Sequence, residues 1–408
     1  MATLYYSVVA SSLHDRDAVD RIVAPVEALL RAVGAERTTD PAAYPQSPYA
    51  VLVATGGTEA RVLDAVAQRA AVAPWEPVVL LAHPWHNSLP ASLESLARLR
   101  LDGRRGRIVQ LGGSGGENSS ATGQLDTMVA DLAAAHELRR SRLGLVGKPS
   151  EWLVASVPDH AGVRERWGVE LVEVDITDTI TGHQRLEPGR SGPVAVRFGR
   201  PEDPELVAAA AVHPALVDTI ELAQVDAVTV RCFDFLTDLQ TSGCVALAQL
   251  NDTGTVAGCE GDVAGALAMM LVRQLLGCAS WIANPASVDV EAGRLLLAHC
   301  TVAPSLVSDL ELHSHFESGM GIGLRGSFAP GPVTLLRLGG HELEQHWFVD
   351  ATIVAGGDSP DLCRTQVTLE VDPARLAELL ERPLGNHLVL VPGNHAARLE
   401  RWWSLVHG

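Results

Sequence analysis

Read for its alternation of apolar and polar positions, the first third of the chain switches repeatedly between two periods. Residues 4–11 (LYYSVVAS) form a short apolar run of strand length, and 18–34 (AVDRIVAPVEALLRAVG) have helical spacing that stops at Gly34. The pair recurs: 49–70 read as strand, glycine turn and helix, 76–85 as strand, 88–103 as helix, and 106–116 as a strand running into glycines. A connecting helix is expected over 127–142. Strands alternating with helices predict a parallel sheet covered on both faces. A second such unit begins at RLGLVG (142–147), passes through GVELVEVDI (168–176) and the helix and strand of 213–236, and ends in strand TVAGCEG (255–261) and helix VAGALAMMLVRQLLG (263–277).

The pattern changes near residue 290. Short apolar runs separated by turns follow one another at 294–302, 310–319, 332–340, 351–357, 365–371 and 387–393. Helical spacing returns only at 373–382 and 395–406. The expected fold class is therefore α/β: two Rossmann-like parallel-sheet domains, 1–140 and 141–288, followed by a β-rich C-terminal domain, 289–408. The stretch 187–204, rich in Gly and Pro, is the most linker-like piece and falls inside the second domain. The apolar run after Asp262 is interrupted by Arg273 and Gln274, which fits a core helix better than a membrane span.

Composition narrows the function classes. Of 408 residues, 47% are hydrophobic and 20% charged, enough for folded cores. The formal net charge of −18 argues against nucleic acid and anionic membrane as partners, since both favour a basic face. The six cysteines contain no C-x-x-C pair and several sit among apolar neighbours, so they are expected to be reduced, buried thiols. Residues 1–15 lack a basic leader pattern, and the expected location is cytoplasmic.

The candidate chemistry lies mainly in the later two thirds. Glycine turns at 55–59 and 111–120 follow strands but match no phosphate-binding fingerprint, so tight βα turns are the expected role. Further on, carboxylates and imidazoles gather at strand ends: Asp234, Glu260 and Asp262, then His299, His313, His315, Glu317 and His387. This mixture suits a divalent ion of borderline hardness such as Mn2+, Co2+ or Zn2+. No local H-E-x-x-H motif exists, so a site must be assembled from distant segments. Asp262 has two readings, an N-cap of the apolar helix and a ligand at a strand–helix junction. Trp85, Trp152, Trp281 and Trp347 are candidates to stack on a sugar face or to pack in cores.

The strings LNDTGTVAGCEGDVAGALAMMLVRQLLG, LLLAHCTVAP, HSHFESGMGIGLRG and PLGNHLVLVPGNH, in this order over roughly residues 225 to 408, resemble the L-fucose/L-arabinose isomerase family, in particular its short, divergent fucose isomerase-like members. The resemblance implies a metal-dependent aldose–ketose isomerase working through an enediolate, usually with Mn2+ and otherwise Co2+, Zn2+ or Mg2+. It implies two carboxylates and a histidine around the ion. By position these are Asp262 and His387, with Asp234 as the second carboxylate and Glu260 and His315 in reserve. Glu260, His299, His315, Glu317 and Asn386 are expected to support the ion or touch a sugar. The family's symmetric assemblies imply a homo-oligomer, a trimer or hexamer. Rival functions on the same scaffold are a lyase or epimerase of a sugar acid or modified sugar, and a sugar-binding protein without catalysis.

Overall fold

The computed structural model describes residues 3–112, 118–187 and 189–408. It is α/β, with two parallel sheets followed by an antiparallel closed barrel. Tertiary contacts divide the chain into two compact units, 1–137 with 401–408, and 138–400.

The first unit holds a five-stranded parallel sheet. Its order places Tyr5–Val9 beside Tyr49–Val53, then Val78–Ala82 and Gly106–Gln110, with Glu36–Arg37 on the outer edge. Strand Tyr49–Val53 is buried on both faces: Ala50 and Leu52 enter one core, and Tyr49, Val51 and Val53 enter the other. That two-sided burial is why the strand reads as an unbroken apolar run. Of the two glycine turns, 55–59 is an ordinary βα connection ahead of helix Glu59–Val72, whereas 113–117 lie outside the described residues.

The second unit opens with a four-stranded parallel sheet in the order Glu170–Val174, Arg142–Val146, Ala227–Val230, Ala257–Cys259. The linker-like stretch carries a short helix, Gly192–Arg197, whose Val194 and Ala195 pack into the core. Helix Val263–Leu276 is buried nearly throughout, as expected of a core helix. Among the described residues, one helix, Pro204–Ala223, is long and apolar enough to cross a membrane, and half of it is buried within the fold.

The barrel follows, with strands ordered Trp281–Asp289, Arg294–His299, Thr365–Glu370, Gln345–Gly356, Gly331–Gly339 and Leu388–Pro392, the last pairing back onto the first. A two-stranded hairpin, Asp309–His313 with Gly323–Ser327, stands beside it. The first barrel strand begins at Trp281, ahead of the 288/289 boundary read from the sequence. Its pattern is masked because the register shifts between Pro285 and Ser287, a bulge that accommodates a proline and breaks the alternation.

Candidate metal and sugar site

Strand Ala257–Cys259 and helix Val263–Leu276 are joined by Glu260, Gly261 and Asp262. Glu260 and Gly261 both adopt left-handed backbone, φ 62° and 76°. For a glutamate this conformation is uncommon and is held only where the surroundings impose it. At Gly261 it is compulsory, because a Cβ would lie 2.7 Å from the Cα of Pro149. The double turn sends the two carboxylates to different places.

Asp262 faces inward. Its Oδ1 accepts the Gly265 amide at 2.7 Å, capping the helix. Its Oδ2 accepts from Arg337 Nη1 at 2.7 Å and from His387 Nδ1 at 2.8 Å. Arg337, on strand Gly331–Gly339, also donates to Ser156 Oγ at 2.6 Å. All three side chains are essentially inaccessible to water. Burial alone would raise the Asp262 pKa, but the Arg337 charge and the His387 hydrogen bond outweigh it and hold the carboxyl well below its usual range.

An ionised Asp262 can only accept, so His387 carries its proton on Nδ1 toward it. That leaves Nε2 buried, without a hydrogen-bond partner, 3.5 Å from Glu260 Oε1. His299, at the end of strand Arg294–His299, brings its Nε2 to 3.8 Å from the same oxygen, while its Nδ1 pairs with Thr301 Oγ1 at 3.0 Å. The two histidines flank the first barrel strand from either side, with ring centroids 5.5 Å apart. Glu260 Oε2 accepts from Trp152 Nε1 at 2.6 Å. Burial opposes ionisation of Glu260 too, yet the facing imidazoles bring its pKa far below normal. For His387, burial disfavours the charge, but the Asp262 hydrogen bond and the negative charge of the facing Glu260 carboxylate push its pKa up to about 9.

Donor atoms of Glu260, His299 and His387 lie within 4.8 Å of one another, a three-donor group among the described residues. A buried imidazole nitrogen aimed at a carboxylate across a gap too long for a hydrogen bond needs a positive species between them, a proton or a cation. One carboxylate oxygen and two imidazole nitrogens suit a divalent ion of borderline hardness. The residues present therefore fit a bound metal.

The chain can be compared with known proteins on that basis. It is similar to proteins named sulfoquinovose isomerase. Those of Priestia aryabhattai and Priestia megaterium are each 25% identical over 301 residues, covering 67% of this chain and 65% of the relative. That of a Clostridium species is 29% identical over 190 residues, covering 46% of this chain and 39% of the relative. The chain thus spans just under two thirds, 65%, of the length of the first two. No protein-family model matches the chain.

The other residues singled out from the sequence fall in several places. Asp234, in the short helix Phe233–Asp238, is not brought to the donor group. Its carboxylate pairs with Arg231 at 2.9 Å and lines a separate cleft of about 920 Å3 with Lys148 and Glu151. The next position, Phe235, is fully buried. His315 and Glu317 line the same small cavity, about 50 Å3, as Glu260 and His299. His315 Nδ1 pairs with Ser318 Oγ at 3.0 Å, and burial lowers its pKa. Asn386 reaches Asn284 at 3.3 Å. Trp281 and Trp347 are barrel core, whereas Trp152 covers Glu260 and meets Phe233 edge-on at 5.1 Å. Trp152 was a candidate to stack on a sugar face or to pack, and the structure places it on Glu260; Arg337 was not singled out from the sequence. Arg337 sits in an apolar strand, PVTLLRLGG, and a charge in a run otherwise destined for a core is the signal that marks it.

Proposed function

We propose that the chain is an aldose–ketose isomerase in which Glu260, His299 and His387 hold a divalent cation, with Asp262 and Arg337 behind His387. The observation that carries this is the convergence of Glu260 and His299 on the unpartnered Nε2 of His387. The similarity to sulfoquinovose isomerases supports the reaction class, and sulfoquinovose is the first sugar to test. Mn2+ is the first metal to test. When bound, a divalent cation polarises the carbonyl and neighbouring hydroxyl of an open-chain sugar and stabilises the negative charge of an enediolate.

The chain's own residues supply position and proton handling. Asp262 fixes the ring orientation and tautomer of His387, a support that commonly sets ligand basicity. The Thr301 hydroxyl fixes the ring orientation of His299, and the Trp152 indole holds the second oxygen of Glu260. His315, kept neutral by burial and tied through Nδ1, offers Nε2 to accept or return a proton in the same cavity. Glu317 lines that cavity as well, where it can accept from a sugar hydroxyl.

The test is a panel of aldoses and ketoses, sulfoquinovose included, incubated with the purified chain and Mn2+ in D2O. Isomerisation with solvent deuterium appearing on C1 or C2 is the expected result. Turnover without deuterium incorporation, or no turnover of any sugar in the panel, overturns the reading. Retention of the carbon skeleton with inverted C2 would point to the epimerase instead. The chain is further proposed to act as a homo-oligomer, a trimer or hexamer.

A further inference from the structure

The six cysteines are all free thiols, and five of them, Cys232, Cys244, Cys259, Cys300 and Cys363, line the same small cavity as Glu260 and His299. Within this set one pair stands apart. The Sγ atoms of Cys232 and Cys259 lie 3.0 Å from each other. Cys300 meets Cys244 and Cys363 through thiol hydrogen bonds.

The local backbone explains the pair. Strands Ala227–Val230 and Ala257–Cys259 run parallel, with Val230 in register with Cys259. Beyond Val230 the chain turns back at once, the Cys232 amide bonding to the Val230 carbonyl at 2.8 Å. The same carbonyl accepts from the Gly261 amide at 3.0 Å. Both strand ends are thus tied to one carbonyl, and the two side chains are delivered to the same spot. A disulfide needs sulfurs at about 2.05 Å, so closure asks for about 1 Å of movement. The cavity gives a small oxidant a route to two otherwise buried thiols.

We propose that Cys232 and Cys259 are an oxidative modification site, forming a reversible disulfide on exposure to hydrogen peroxide. One thiol attacks peroxide, breaking the O–O bond and releasing water, and becomes a sulfenic acid. The second sulfur attacks the first, the S–S bond forms, and hydroxide leaves to take up the second thiol proton. Two thiols and one peroxide give one disulfide and two waters. The bond sits next to Glu260 in sequence, so it pulls directly on the left-handed turn that aims that carboxylate.

The experiment is peptide mapping of the full-length chain under non-reducing conditions after graded peroxide. The expected result is loss of the mass of two hydrogen atoms and one cross-linked peptide pair joining residues 232 and 259, formed ahead of any other cysteine link because these two sulfurs already lie 3.0 Å apart. Dithiothreitol should reverse it, Cys232→Ser and Cys259→Ser should each abolish it, and Cys363→Ser should keep it. A preferred link among Cys244, Cys300 and Cys363, sulfinic acids without any link, or six intact thiols throughout would each overturn the proposal. If one serine variant fails to fold, the other and the native map still decide. The readout is mass alone, so it stands whether or not the sugar reading survives.

Discussion

At the scale of single residues, the site turns on which of two neighbouring carboxylates faces the cavity. Glu260 shares it with two imidazoles, and Asp262 is sealed behind His387 with Arg337. Glu260→Gln should therefore weaken Mn2+ binding at least about 10-fold while leaving helix capping untouched, as calorimetric titration would show. Asp262→Asn has a different expected outcome. An asparagine still caps the helix, but it leaves the Arg337 guanidinium buried without its counter-charge, and losing one partner of a buried pair costs about 3–5 kcal/mol. Denaturant unfolding should show that loss, and an unchanged midpoint would sink the ion-pair account. His387 sets a pH dependence. Its pKa in the fold, about 9, lies above the ordinary 6.5, so in the metal-free chain its contribution to stability is fully present below pH about 6.5 and is lost as pH rises through about 9. Ligation needs the neutral ring, so Mn2+ must displace that proton. Apparent affinity should rise about tenfold per pH unit between about 7 and 9 and then level off. A flat profile would remove His387 from the ligand set.

At the scale of elements, the strand and helix either side of the site were legible, and the turn between them was not. The apolar run of 255–259 and the helical run of 263–276 announce themselves by period. Nothing in the period tells that Glu260 takes a left-handed backbone, and that one conformation decides which acid points where. The resemblance implies Asp262 as ligand and Glu260 as support, whereas this turn places Glu260 with the two imidazoles and Asp262 behind His387. Asp234 shows the same limit: the segment RCFDFL reads as strand followed by an acid, yet Arg231 three residues earlier captures the carboxylate. The turn is also where the elements are least tolerant. Gly261→Ala places a Cβ against the Pro149 backbone at positive φ, so a loss of about 1–3 kcal/mol is expected in thermal or denaturant unfolding. A neutral result would mean the loop at Pro149 gives way.

At the scale of the whole molecule, both parallel sheets could be read from alternating strand and helix, because each βα step is local in sequence. Barrel closure could not. It depends on Trp281 meeting Leu390, more than a hundred residues later, and no local pattern records such a pairing. The interrupted first barrel strand hid the start of the barrel for the simpler reason that Pro285 lies on its bulge. Assembly is tested at this scale too: light scattering at micromolar concentration is expected to give three or six times the 43.2 kDa chain mass, and a monomer would contradict it.

The closing strand of the barrel gives the donor group an order in time. His387 is delivered by Leu388–Pro392, the last of the barrel's strands in chain order, whereas Glu260 and His299 emerge from the ribosome long before it. A nascent chain stopped short of that strand has both parallel sheets, an unsealed barrel with two open edges, and only two of the three donors. If the proposed cation binds there, its capture is thereby coupled to barrel closure. Products truncated before that strand should lack the third donor and keep sticky strand edges, the state that cellular proteolysis removes most readily.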